Sequence, residues 1–207
     1  MVRKLPFLLL SALLLALAIA PTPVAAATSL KGNRAVAAPT PAAERAGASE
    51  AGPLIAPAGT CPGQGNLAAP AAVQERAMAC MVAFARRQAG LGELADEDAL
   101  ARSAEDKSLD VLRCDEFSHS ACGREFTYWM EETGYTSAPC WRVGENLAWG
   151  AGEYGTVRSI FTAWMRSPGH RVNILGDFEE TGLSLQVGTL EGLSGTHVWA
   201  QHFGSRC

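Results

Sequence analysis

The run GLSLQVGTLEGLSGTHVWAQHF, residues 182–203, settles the fold class. Leu183, Leu185 and Val187 alternate with Ser184 and Gln186, the two-residue period of a strand with one face turned inward. Thr196 to Phe203 again reads as extended, and the glycine-rich stretch between the two predicts a hairpin. Upstream the period changes. Val157, Ile160, Phe161, Trp164 and Met165 fall at helical spacing and form one apolar stripe after Thr156. That helix should stop near Ser167, because Pro168 disfavours helix before it and Gly169 releases the chain, leaving His170 at a helix exit.

Nearer the N-terminus, Pro70 opens a helix whose inner face carries Gln74, Met78, Met81, Val82 and Ala85 and which ends at Gly90 and Gly92. A second helix is expected from Asp96, with Leu100, Ala104, Ser108 and Val111 along one side. Phe126, Trp129 and Met130 make a short apolar face before Gly134. Helices come first and antiparallel strands last, so the class is α+β rather than a doubly wound parallel sheet.

The 207-residue chain begins with Arg3 and Lys4 ahead of an apolar stretch from Leu5 to about Ala20, then small residues to Ala27. Residues 1–27 read as a secretory signal peptide, with an uncleaved anchor as the competing reading. Residues 28–60, rich in Ala, Pro, Gly and Ser, read as a flexible linker, because too little apolar surface is available there to offset ordering entropy. Residues 61–207 then form one domain. No later segment spans a membrane, so no stable span is expected after cleavage. Loss of Arg3 and Lys4 with the leader moves the formal charge from −4 to −6. An acidic chain without a basic stripe excludes nucleic acid as the main partner. The Arg86-Arg87 pair is read as the solvated face of a helix.

Six cysteines, Cys61, Cys80, Cys114, Cys122, Cys140 and Cys207, follow the leader, an even number suited to three disulfides in an oxidising compartment. Spacing alone does not choose among the pairings. The one favoured here joins Cys61 to Cys80 and Cys122 to Cys140, leaving Cys114 with Cys207. A structural zinc site using Cys114, Cys122 and His119 is the lesser alternative, for want of a fourth ligand at conventional spacing.

The residues able to carry chemistry lie between positions 114 and 170. His119, Glu145 and His170 come from separate segments, and two imidazoles with one carboxylate can hold a divalent metal or move protons. Glu145, between Gly144 and Asn146, has a plainer reading as the anchor of a loop, with Asn146 as a brace and Trp149 as core. His197 and His202 are an odd number of positions apart, so a regular strand turns them to opposite faces, one expected at the surface and one satisfied in or near the core. No nucleophile elbow, P-loop or dinucleotide fingerprint is present, so no nucleotide cofactor is expected.

Phe117 to Ser120, the GENLAWG run at 144–150, Trp164 to His170 with Arg171 and Asn173 to Leu175, and Val198 to Gly204 together resemble the CAP superfamily, in particular its bacterial secreted branch. That family includes cysteine-rich secretory proteins, venom antigen 5 and plant pathogenesis-related proteins. The resemblance implies a three-layer α-β-α sandwich with a central antiparallel sheet and a cleft lined by two histidines and, in many members, two glutamates. Carried over by motif, these are His119, His170 and Glu145, with Ser167 standing where the second glutamate is found in other members.

The resemblance further implies a binding or interaction module for an extracellular or cell-envelope ligand, whether lipid, sterol, glycan or protein. A metal-dependent hydrolase or peptidase is the rival reading, with zinc on His119 and His170 and Glu145 as the catalytic candidate. A structural scaffold with a vestigial cleft is the third. No cofactor is required by the first or the last.

Overall fold

The computed structural model describes residues 27–30 and 53–207. The leader expected at residues 1–27 lies almost wholly outside these residues, as does most of the expected linker. Where the linker is described, it belongs to the fold. Ala27–Leu30 forms strand β1, and Leu54, Ile55 and the fully buried Ala56 pack into the core, so the folded region begins before Cys61.

Among the described residues ten elements follow in order: β1, helix α1 (Ala71–Gln88), the two-residue strand β2 (Ala95–Asp96), α2 (Asp98–Arg113), α3 (Tyr128–Glu132), β3 (Trp141–Gly150), α4 (Val157–Arg166), α5 (Pro168–Ile174), β4 (Glu180–Leu190) and β5 (Leu193–Arg206). Short 3-10 turns punctuate the loops. The sheet order is β1-β3-β5-β4-β2. Every pairing is antiparallel except β2 with β4, which run parallel for two residues.

The helices form where the apolar periods lie. In α1 the residues Gln74, Met78, Met81, Val82 and Ala85 are buried as the stripe requires. Helix α2 starts two residues later than expected and buries Leu100, Ala104, Ser108 and Val111, together with three polar groups that the stripe did not flag, Ser103, Lys107 and Asp110. Helix α4 follows Thr156, whose side chain accepts from the Ser159 amide at 3.3 Å, a conventional N-cap. It ends at Arg166 as predicted, but the chain does not turn away. Pro168 occupies the first position of a new helix, a place where its missing N–H costs nothing, so His170 lies inside α5 rather than at a helix exit.

Three layers result. Helices α1, α4 and α5 cover one face of the sheet, sharing a core with Leu185, Trp199 and Phe203. Helix α2 covers the other, against Leu147, Val198 and Ala200. The GENLAWG run, whose Glu145 was read as a loop anchor, is instead the inner strand β3, paired with β1 on one edge and β5 on the other. Its polar/apolar alternation is weak because a strand between two helical layers is buried on both faces.

Disulfides join Cys61 to Cys80, Cys114 to Cys122 and Cys140 to Cys207. The first matches the expected pairing and the other two replace it. Register is the reason. Trp141 pairs with Arg206 in the β3–β5 ladder, so Cys140 and Cys207 continue it as neighbours with Cα atoms 5.6 Å apart. Cys114 caps the C-terminus of α2, and the chain loops straight back to Cys122 at 5.5 Å. Those bonds also remove the thiols from any zinc site with His119.

Arg86 corrects the solvated reading of the Arg86-Arg87 pair. It is buried, and its guanidinium donates to the carbonyls of Gly92, Ile174, Gly176 and Phe178 at 2.7–3.2 Å. The bonds tie α1 to the segment that leaves α5. Arg87 is exposed and pairs with Glu93.

Candidate functional site

Glu145 projects from β3 toward the α2 layer and is fully buried. His119 reaches it from the loop closed by Cys114–Cys122, with Nδ1 2.5 Å from Oε1. Lys107, fully buried on α2, donates its ammonium to the His119 carbonyl at 2.6 Å and so fixes the loop's backbone. The second carboxylate oxygen is also taken. His202 stands opposite Glu145 in the β3–β5 ladder, and its Nε2 lies 2.8 Å from Oε2. The other ring nitrogen of His202 is 2.7 Å from Ser103 Oγ on α2.

Burial by itself raises the Glu145 carboxyl, but the hydrogen bonds from His119 and His202 and the electrostatic attraction of His202 and Lys107 beside it outweigh it. The carboxyl is held below the usual carboxylate range. An ionised carboxylate only accepts, so each facing ring nitrogen carries a proton.

His170 belongs to the opposite layer. The adjacent Asn146 points to that side of the sheet and donates to the His170 carbonyl at 3.2 Å. Asn173 then donates to Asn146 Oδ1 at 3.0 Å and to the Glu145 carbonyl at 3.1 Å. Asn146 is therefore the expected brace, though it clamps a strand to a helix and not a loop to itself. His170 is 7 % exposed, with a buried Nε2 that has no hydrogen-bond partner. Desolvation first, and electrostatic repulsion from neighbouring His119 second, push the imidazole down to about 4.

The sequence-predicted residues are thus brought together unequally. His119 and Glu145 are in direct contact. His170 is close enough to feel His119, yet its ring is mostly turned into the interior. Ser167 is half-buried at the junction of α4 and α5, where its carbonyl accepts from the Arg171 amide at 2.9 Å. Ser103, Lys107 and His202 join the site without any sequence motif to mark them. His197 and His202 are both buried, which corrects the expectation that one would lie at the surface. His197 donates within its own turn, to the Gly195 carbonyl at 3.2 Å.

Two imidazole nitrogens are fewer than the three or four protein ligands that zinc ordinarily takes. Among the described residues no group of three His, Cys, Asp or Glu side chains gathers as a metal site. The orphaned Nε2 of His170 is one nitrogen that a cation could use, but the donor count fits a resident zinc poorly. Two recesses lie elsewhere. One of about 240 Å³ opens between α1 and β4 over Gln201, and one of about 420 Å³ flanks β4 beside Glu75, Asp98, Arg102 and Glu105. Neither is lined by the histidines. Among the described residues no helix is long and apolar enough to cross a membrane.

Comparison with known proteins agrees with this architecture. The chain is similar to the uncharacterized protein YkwD of Bacillus subtilis, 34 % identical over 121 residues that make up 57 % of this chain. The match spans 42 % of that relative, so less than half of its length is represented. Among solved structures it resembles an outer surface protein of Borrelia burgdorferi, with a TM-score of 0.52 and 19 % identity over 63 % of this chain and 90 % of that one. It also resembles an extracellular protein of Bacillus anthracis containing an SCP domain, with a TM-score of 0.53 and 20 % identity over 66 % of this chain and 41 % of that one. At such identities the two structures show the fold alone. The profile of the cysteine-rich secretory protein family, CAP, matches residues 81–203, more than half of the sequence, and the chain belongs to that family.

Proposed function

We propose that this chain is an exported CAP-domain protein that works as a binding module for an extracellular or cell-envelope ligand, a lipid, sterol, glycan or protein. The leader-like N-terminus supports export, as do the extracellular and outer-surface descriptions of the two similar structures. The observation that carries the binding reading is the state of Glu145. Both of its oxygens accept from imidazoles in a fully buried setting. A general base must reach the proton it removes, and a fully buried carboxylate whose two oxygens already accept from imidazoles is poorly placed to do so. It supports a histidine in place of activating water.

The rival reading, a metal-assisted hydrolase, draws on the unpartnered Nε2 of His170. The purified mature protein should be titrated with phospholipid vesicles, a soluble sterol and peptidoglycan fragments. Peptidase and esterase substrates should be assayed in parallel with and without zinc. The binding reading expects saturable association with one of the three probes, weakened by His119→Ala combined with His170→Ala, and no turnover. Turnover abolished by a chelator and by the same double substitution would establish the hydrolase instead.

A further inference from the structure

We infer that His202, steadied by Ser103, is a positioning residue that locks the Glu145 carboxylate and thereby sets the tautomer of His119. The inference rests on the reading of the His119–Glu145 cluster as the binding site. It assigns a role to a histidine that no motif marked.

The chain of contacts is short. Ser103 Oγ lies 2.7 Å from His202 Nδ1, His202 Nε2 lies 2.8 Å from Glu145 Oε2, and Glu145 Oε1 lies 2.5 Å from His119 Nδ1. Ser103, His202 and Glu145 are fully buried, so these contacts are shielded from bulk solvent. Lys107, also fully buried, supplies a positive charge that balances an ionised Glu145. Because the carboxylate only accepts, His202 carries a proton on Nε2 toward Glu145, and the Ser103 hydroxyl is placed to donate to Nδ1. That hydroxyl has one proton and a competing acceptor, the Leu100 carbonyl at 2.9 Å, which already serves the helix. Directed to Nδ1, it closes the network with every donor used once.

With Oε2 occupied, Glu145 cannot rotate, and Oε1 remains an acceptor for the Nδ1–H of His119. His119 is then held with a proton on Nδ1, toward Glu145. Without the His202 donor, a buried carboxylate oxygen is stranded. The group either takes up a proton or turns, and in both cases the demand that His119 donate from Nδ1 is lifted.

The test is long-range proton–nitrogen correlation NMR of the histidine rings in the full mature chain, which separates protonated from unprotonated ring nitrogens without any ligand. The wild type should show His119 protonated at Nδ1 and His202 protonated at Nε2 only. His202→Leu should exchange or average the two His119 nitrogen signals. His202→Gln, whose amide places a donor where Nε2–H stood, should restore the wild-type pattern. If His202→Leu does not fold, Ser103→Ala serves, and it should broaden or shift the His202 nitrogens while Ser103→Thr should not. A doubly protonated His202 in the wild type would overturn the inference, as would a His119 pattern unchanged in His202→Leu. Because no ligand enters the measurement, failure of the vesicle, sterol and peptidoglycan titrations would sink the binding reading and leave this result standing.

Discussion

Gly182 lies directly across the β4–β5 ladder from His202, and a Cβ at Gly182 would fall 2.1 Å from the backbone of Leu100 and Ala101. The missing side chain lets α2 settle onto the sheet at this point. One turn farther along α2, Ser103 then reaches the His202 ring. A backbone contact on one strand thus governs whether a hydrogen bond can form to its neighbour.

Gly182→Ala should therefore destabilise the fold and disturb the site at once. Forcing a methyl into so close a contact requires α2 to lift, with a cost of about 2–3 kcal/mol. Chemical denaturation measures the loss, and the His202 ring nitrogens should shift in the same variant. A change below about 0.5 kcal/mol would mean that α2 does not rest on this strand as described.

Lys107→Met should cost about 3 kcal/mol, because removing one member of a buried charged set leaves the Glu145 carboxylate uncompensated and the His119 carbonyl without its donor. Combining it with Glu145→Gln removes the stranded charge. The double variant should be less destabilised than the sum of the two single ones, by about 1 kcal/mol or more. Additive costs in a denaturation cycle would show that the two groups do not interact.

His170 predicts an acid limb to stability. Its folded value of about 4 lies below the ordinary imidazole, so between pH 6.5 and 4 the unfolded chain binds a proton that the folded chain refuses. The contribution is in place above pH 6.5 and lost as pH falls toward 4, on the order of 3 kcal/mol across that window. His170→Gln removes the titrating group. Urea unfolding at about pH 7.5 and about pH 4.5 should give a smaller difference for this variant than for the wild type, and equal differences would contradict the burial of the ring.

The disulfide map is open to a direct check by non-reducing tryptic mapping. Arg113 and Arg124 bracket both Cys114 and Cys122, so the peptide 114–124 should appear closed on itself, lighter by two hydrogens than its reduced form. A Cys122–Cys140 bond would instead link it to the peptide ending at Arg142. Replacing both Cys114 and Cys122 with Ser should cost about 2–3 kcal/mol by loop-closure entropy and loosen the segment that carries His119.

Much of the architecture was legible because its cause is local. Helices α1 and α4 bury the stripes their periods mark, Thr156 starts α4, and the alternation after Gly182 becomes the β4–β5 hairpin. Other features had no local cause to read. Arg86 is an ordinary surface residue by neighbourhood, and only the approach of the Ile174–Phe178 segment turns it into a buried clamp. Glu145 looked like a loop anchor because a strand covered on both faces loses the alternation that would identify it.

Residue order alone was enough for the α+β class, the family, the pair His119 and Glu145, and, as an expectation, an exported organisation. Hydrophobic period and motif spacing act along the chain, so they can be read along it. Folding in three dimensions was needed to make His202 face Glu145, to close the network with Lys107 and Ser103, and to join Cys140 to Cys207. Glu145 and His202 stand 57 positions apart, Ser103 and His202 stand 99 apart, and the two cysteines 67. Strand register and the close seating of α2 at Gly182 bring these partners together, and neither is written in the spacing of residues along one segment.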